Sequence, residues 1–381
     1  MTHALTWIEI SEKNLIHNVK ILKKTVGAKT VFCAVVKANA YGHGLRECAP
    51  VMVKAGADWL GVNALFEAME LKKIGIKTPI YIMGYVPENE LSIATEEGFH
   101  MVVYNEETLQ KLARICKKLR RPVFTHLKLE TGIYRQGILD HQLDKFLEFY
   151  KKNPDVRLEG ASMHFANLED TNDHSYGMFQ LKNFAKMLKK IHAAGFHPPY
   201  IHAANTAATI LFPKTHFTMV RAGIGNYGLW PSNKTYLAAI REKKNIDLRP
   251  VMTWKTKIAQ IKNVAKGTYI GYGCTHKTIR DTRLAVLPVG YYDGYDRGLS
   301  NLGHVLIHGR RARILGRVCM NIIMVDVSDI PEARREDEAV LLGQQGSKTI
   351  TADQMANWLG TINYEVATKI NEKIERKVIG S

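Results

Sequence analysis

The chain has 381 residues, a length that as a prior corresponds to two domains or to one large barrel with an extension. Hydrophobic residues make up 46% and charged residues 23%, with 29 glycines and 12 prolines, which excludes collagen-like and disordered classes. The 53 basic residues against 36 acidic ones give a formal charge of +17, so nucleic-acid binding has to be weighed.

From the start to about residue 230, short β-branched apolar runs alternate with segments of three-to-four-residue apolar spacing. The runs are Val31 to Val36, Trp59 to Val62, Ile80 to Met83, Met101 to Tyr104, Phe124 to Leu129, Gly160 to His164, Tyr200 to Ala203 and Met219 to Ile224. Helical patterns such as Leu15, Val19 and Leu22, or Phe179, Phe184, Met187 and Leu188, lie between them. Eight such units in this length predict a TIM (β/α)8 barrel over 1–240 rather than an open sheet, with an N-terminal strand free to return to the second domain. The polar stretch Arg241 to Pro250 reads as a linker. Beyond it the period changes. Lys255 to Ile261, Arg283 to Val289, His304 to Ile307, Arg311 to Leu315, Ile322 to Val327 and Ala339 to Leu342 predict a mostly antiparallel β domain over 241–381, and Thr351 to Leu359 a short helix capped by Thr351 or Asp353.

The excess positive charge is spread over helical faces such as Lys20, Lys23 and Lys24, or Lys182, Lys186, Lys189 and Lys190, which read as solvated. Arg310, Arg311, Arg313 and Arg317 alternate with apolar residues as on a two-faced strand, and no RNP-type strand or helix-turn-helix pattern accompanies them, so a nucleic-acid partner is not expected. The five cysteines show no CxxC spacing, which points to reduced thiols and no metal site. No apolar run approaches the ~18 residues that cross a bilayer, and the residues after Met1 lack a signal-peptide layout, giving an expected cytoplasmic location.

Catalytic groups in a barrel come from the carboxyl ends of strands. Polar residues follow the apolar runs at Lys37 to Gly44, His126 to Arg135, Ser162 to His164, His202 to Thr206 and Arg221 to Gly225. A partly desolvated amine at Lys37 favours its neutral, nucleophilic form, although position alone favours a snorkelling lysine. Gly223-Ile224-Gly225 presents backbone N–H groups suited to a phosphate, with Thr206 adding a hydroxyl, or is a plain strand-exit turn. Arg221 suits an anion, an acceptor nitrogen or a structural ion pair. His164 suits the same site or a core position. Together they fit a phosphorylated carbonyl cofactor, and pyridoxal 5'-phosphate (PLP) combines the requirements.

The segment AVVKANAYGHG, residues 34–44, resembles the PLP-lysine signature of the alanine racemases, and the likeness runs from Trp7-Ile-Glu-Ile to GTINYE at 360–365. The resemblance implies a TIM barrel joined to a β domain, PLP as cofactor and alanine as substrate. Lys37 resembles the Schiff-base lysine and one of two catalytic bases, and Tyr272 in Ile270-Gly-Tyr-Gly-Cys274 the base of the opposite face. Tyr41, Thr206, Gly223, Ile224 and Tyr364 match positions around the cofactor phosphate, with Asn205 beside Thr206. Arg221 corresponds to the partner of the pyridine nitrogen, His164 to a histidine of the hydrogen-bond network, and Arg135 to the arginine near the phenolic oxygen. Tyr291 and Tyr295 in GYYDGY resemble the substrate-entrance motif, Met320 and Asn321 the substrate-carboxylate segment, and Lys128 a lysine carbamylated in many members.

Departures from the family pattern are Glu130-Thr131-Gly132-Ile133-Tyr134 in place of Asp-Thr-Gly-Met-small, and Asn321 where Asp is usual; losing that charge could widen specificity, for example to serine. A phenol is a poor base near neutrality unless positive charge or donors such as His164 favour its ionised form. In the family the site is completed across a head-to-tail homodimer, and the product D-alanine feeds peptidoglycan. A decarboxylase of the same architecture would carry a Gly-rich phosphate loop and a Cys-Asp segment, which are absent, and a PLP carrier would lack the Tyr272 segment and GYYDGY.

Overall fold

A computed structural model of the protein describes residues 5–380. Its strands are β1 (Thr6–Ser11), eight in the first half, β2 (Val31–Val35), β3 (Trp59–Val62), β4 (Ile80–Ile82), β5 (His100–Val103), β6 (Val123–Lys128), β7 (Val156–Ser162), β8 (Tyr200–His202) and β9 (Met219–Ala222), and eleven more in the second half. Strands β2 to β9 pair in parallel, each with the next and β9 with β2, so the barrel is closed. Cys33, Trp59, Tyr81, Val102 and Met219 are buried together, with Tyr200 packed against them. The apolar runs of the sequence are these strands. The largest difference is β7, which begins at Val156 rather than Gly160 because its first half, Val156-Arg-Leu-Glu, is part-polar and only part-buried.

The second half contributes β10 (Met252–Lys257), β11 (Gln260–Val264), β12 (Tyr269–Ile270), β13 (His276–Lys277), β14 (Thr282–Leu287), β15 (His304–Ile307), β16 (Arg310–Arg313), β17 (Ile323–Asp326), β18 (Glu338–Gln345), β19 (Lys348–Ile350) and β20 (Glu375–Ile379). One sheet runs in the order β16-β15-β18-β10-β1-β20, and another β11-β14-β17. Lys255 to Ile261 is therefore two strands rather than one: between them Ile258 N–H donates to Asp337 O and Ala259 N–H to Val286 O, and the chain changes sheets. The N-terminal strand β1 sits inside this sheet, antiparallel to β10 and parallel to β20, with Ile8 and Ile10 fully buried. Thr351 caps the helix Ala352–Leu359, its hydroxyl accepting from Gln354 N–H at 3.0 Å. Arg311 and Arg313 of β16 are exposed on the face opposite buried Ala312, as a two-faced strand requires, while Arg310 is exposed where the strand begins.

The chain separates into two compact units. One holds 15–40 and 48–249, the other the N-terminal strand, 41–47 and the residues from 250 onward. The boundary falls at 249/250 rather than at 240/241. The stretch expected to be a linker is tied to the barrel unit: Asn18 Nδ2 donates to Arg249 O, Arg249 N–H donates back to Asn18 Oδ1, each at 2.8 Å, and Leu248 is buried. Among the described residues no helix is long and apolar enough to cross a membrane, and the five cysteines are unbridged.

Candidate active site

In the barrel unit, β2 delivers Lys37 at its carboxyl end. The four residues that follow, Ala38 to Tyr41, all have φ of +52 to +53°, a left-handed turn of non-glycine residues. Such a conformation costs about 1–2 kcal/mol per residue and persists only where its surroundings impose it. Here Ala40 N–H donates to Val36 O at 2.8 Å, and Ala38 N–H to Glu67 Oε1 at 2.6 Å. Glu67 is buried, and its other oxygen accepts from Asn63 and Ala64 N–H at 2.7 and 3.1 Å. One carboxylate thus ties the Lys37 turn to the loop after β3. Nothing in the sequence signals this role, since Glu67 reads as a helix residue.

Lys37 is one of a cluster of basic groups. Desolvation lowers its amine pKa, and the charges of Arg135 and Arg221 lower it further against the opposing pull of Glu67. Lys128, at the end of β6, is pushed well below the usual lysine range by burial first, then by Arg221 and Arg135. His164, after β7, is held neutral by burial and by Lys128, Arg221, Arg135 and Lys37. The structure therefore gathers Lys37, Lys128, Arg135, His164 and Arg221 at the carboxyl ends of the barrel strands.

Arg221 is buried on β9 and is held by neutral acceptors. Its Nη1 donates to His202 Nδ1 at 2.6 Å and to His202 O at 3.0 Å; Nη2 donates to Met163 O at 2.9 Å and Ala203 O at 3.3 Å, and lies 3.5 Å from His164 Nδ1. Beside it, the Thr206 hydroxyl accepts from Gly223 N–H at 3.0 Å and Gly225 N–H at 3.4 Å. A hydroxyl whose lone pairs are so engaged has its proton left to give an anion. Asn205 Oδ1 caps the short helix Thr206–Leu211 by accepting from Ala208 N–H at 3.0 Å, and Ile224 opens the buried turn after Gly223.

The Glu130 departure keeps a local role: its carboxylate accepts from Gly132 and Ile133 N–H at 2.6 and 2.8 Å. Tyr134, at φ +52°, is 80% exposed, and Arg135 beside it is exposed as well.

The other unit carries Tyr272, exposed on a turn between Gly271 and Gly273, both at φ +72°. Tyr291 and Tyr292 N–H donate to Cys319 O at 3.0 Å and Met320 O at 2.9 Å, so the GYYDGY and Cys319-Met320-Asn321 segments form one surface with Tyr291, Met320 and Asn321 exposed. A Cβ on Gly290 would collide with those same carbonyls, which is why glycine opens the motif. Tyr295 differs from the expectation of a substrate-facing residue. Its ring is fully buried, 5.8 Å from that of Trp254, so it supports the segment from beneath. Tyr41 and Tyr364 lie together, ring centroids 6.1 Å apart. Gly42, at φ +81°, packs against Ala367 O with no room for a side chain, and Arg376 Nη2 donates to Gly42 O at 3.0 Å.

These features fit PLP. A hydroxyl and glycine turn suit a phosphate, a buried cation on neutral acceptors suits a ring nitrogen, and a desolvated amine suits an aldehyde carbon. Comparison with known proteins agrees. Residues 10–231 match the alanine racemase N-terminal domain family and 251–378 the alanine racemase C-terminal domain family. An alanine racemase of Leptospira interrogans is 39% identical over 377 residues, covering 98% of this chain and 96% of its own length, and one of Methanococcus maripaludis is 36% identical, covering 97% of each. Among solved structures, the Bacillus anthracis alanine racemase with bound L-Ala-P superposes with a TM-score of 0.93 at 33% identity, covering 100% of this chain and 96% of that one. The Bartonella henselae alanine racemase with covalently bound pyridoxal phosphate gives 0.86 at 26% identity, covering 99% and 100%. With both domains matched in order and relatives aligned over nearly their whole length, the chain belongs to the alanine racemase family, the PLP-dependent isomerases that interconvert L- and D-alanine.

Proposed function

We propose that the chain racemises alanine with Lys37 and Tyr272 as two bases on opposite faces of the cofactor. PLP, held through Lys37, supplies the electron sink that makes the substrate Cα acidic. Racemisation then requires one group to take the Cα proton from one face and another to deliver a proton to the other. Lys37 is suited to the first task because desolvation and neighbouring cations favour its neutral amine. Thr206, Gly223 and Ile224, with Asn205 capping the helix that Thr206 opens and Tyr41 and Tyr364 contributing, would hold the phosphate. Arg221 would donate to the ring nitrogen. A permanent cation there would keep that nitrogen unprotonated and so weaken the cofactor's character as an electron sink. Arg135 would serve the cofactor's phenolic oxygen and, with Met320 and Asn321, the substrate carboxylate; Tyr291 would line the entrance, with Tyr295 packed beneath its segment.

Lys37 and Tyr272 belong to different units, and a head-to-tail homodimer in which the partner subunit supplies the tyrosine completes each site. The product D-alanine serves peptidoglycan synthesis in the cytoplasm. The observation that carries this reading is the desolvated lysine on its strained turn within a cluster of cations.

The test is hydrogen exchange at Cα in D2O. Wild type is expected to deuterate and invert both alanine enantiomers. Tyr272→Phe is expected to exchange one enantiomer without inverting it, because one face keeps its base. Inversion at the wild-type rate in Tyr272→Phe would remove Tyr272 from the mechanism.

A further inference from the structure

Behind Arg221 a line of three imidazoles runs down the inside of the barrel. Arg221 Nη1 reaches His202 Nδ1 at 2.6 Å, His202 Nε2 lies 2.8 Å from His126 Nδ1, and His126 Nε2 lies 3.0 Å from His100 Nδ1. His202 ends β8, His126 is inside β6, and His100 begins β5, so the line crosses from the carboxyl to the amino ends of the strands. The first two rings are fully buried, and His100 is part-buried.

The arginine decides which nitrogen of each ring carries the proton. A guanidinium only donates, so His202 Nδ1 must accept, which puts the proton of the neutral ring on Nε2. That N–H faces His126 Nδ1, which must accept in turn, and the same step repeats at His100. Neutrality of all three is supported by burial, which pushes His100 down to about 4 and His126 and His202 well below the ordinary histidine range. The packing is built for the line. His126 stacks on the rings of Tyr81 and Tyr200, with centroids 4.4 and 5.8 Å away, and Trp59 stands edge-on to His126 and Tyr200. Gly160 faces it across the strand pair, where any Cβ would overlap the His126 imidazole.

We propose that His100, His126 and His202 are a positioning chain locked in one tautomer, which holds the Arg221 guanidinium from the amino end of the barrel. A donor lost or reversed anywhere along the chain puts two donors, or a donor and nothing, at a buried contact, and the only exits are displacement of a ring or of Arg221. His100 is then a determinant of how Arg221 is presented, although it touches neither cofactor nor substrate.

The test uses the PLP-loaded enzyme labelled with 15N-histidine and long-range 1H–15N correlation spectra. The expected result is unprotonated Nδ1 and protonated Nε2 in all three rings; a ring protonated at Nδ1 overturns the proposal without any variant. His100→Phe keeps an aromatic ring against Trp59 and Phe124 but removes the acceptor, whereas His100→Gln restores one. Tautomer mixing at His126 and His202 and a lower kcat at unchanged KM are expected in His100→Phe, with both reversed in His100→Gln. Equal loss in the two variants, or no change in either, contradicts the chain. The kcat readout rests on Arg221 facing the cofactor as proposed above, while the tautomer readout does not, so the two failures are told apart.

Discussion

Arg221 is a buried cation whose Nη1 and Nη2 donate to carbonyls and imidazoles, an arrangement that leaves its Nε–H to donate to a further acceptor. If that acceptor is the cofactor ring nitrogen, Arg221→Glu lets the nitrogen hold a proton and spreads charge into the ring. Pyruvate formed per racemisation event is expected to rise, and an unchanged ratio contradicts the assignment. Lys128 presents the second residue-scale prediction. Lys128 is buried, and burial with the charges of Arg221 and Arg135 pushes its amine toward the neutral form, the form that adds CO2; the resulting carboxylate would pair with Arg135. An acid-labile mass increment of one carboxyl group on Lys128 in CO2-equilibrated protein is expected; full-occupancy unmodified lysine contradicts it.

At the scale of elements, the carboxylate of Glu67 ties the left-handed Lys37 turn to the loop after β3. Replacing Glu67 by Ala leaves the N–H groups of Ala38, Asn63 and Ala64 without their acceptor, and a loss of about 2–4 kcal/mol is expected from denaturant unfolding. Glu67→Gln, which keeps one acceptor oxygen and the side-chain volume, is expected to lose less; no loss in Glu67→Ala would contradict the tie. The barrel strands and the polar residues at their ends were legible in the sequence because β-branched runs and strand-end polarity are local signals. Glu67 and the His100–His126–His202 line were not, since each acts on residues far away in sequence and carries no pattern of its own. The return of β1 into the second sheet was legible only as an option, and β20 and the helix Asn363–Thr368 were too short and too polar to read. Tyr295 shows the converse failure: a motif match assigned it to the substrate, while packing against Trp254 assigns its ring to the core.

For the whole molecule, the neutral histidines of the barrel interior make stability depend on pH. His100, His126 and His202 bind protons in the unfolded chain below about pH 6.5 but not in the fold, so the unfolded state holds more protons and stability falls as the pH drops from 6.5 toward 4. Each contributes a slope of at most ~1.4 kcal/mol per pH unit. A denaturation midpoint constant over that window contradicts the neutral assignment.

The two proposed bases lie on different units of the fold, and their cooperation is the central claim. Mixed dimers of Lys37→Ala and Tyr272→Phe chains test it most directly. Each homodimer is expected to be inactive in racemisation, and each heterodimer to recover one wild-type-like site, so that an equimolar mixture after verified subunit exchange regains about a quarter of wild-type activity. No recovery after exchange would mean that Lys37 and Tyr272 act within one chain, and a racemising homodimer of either variant would mean that its missing group is not a base.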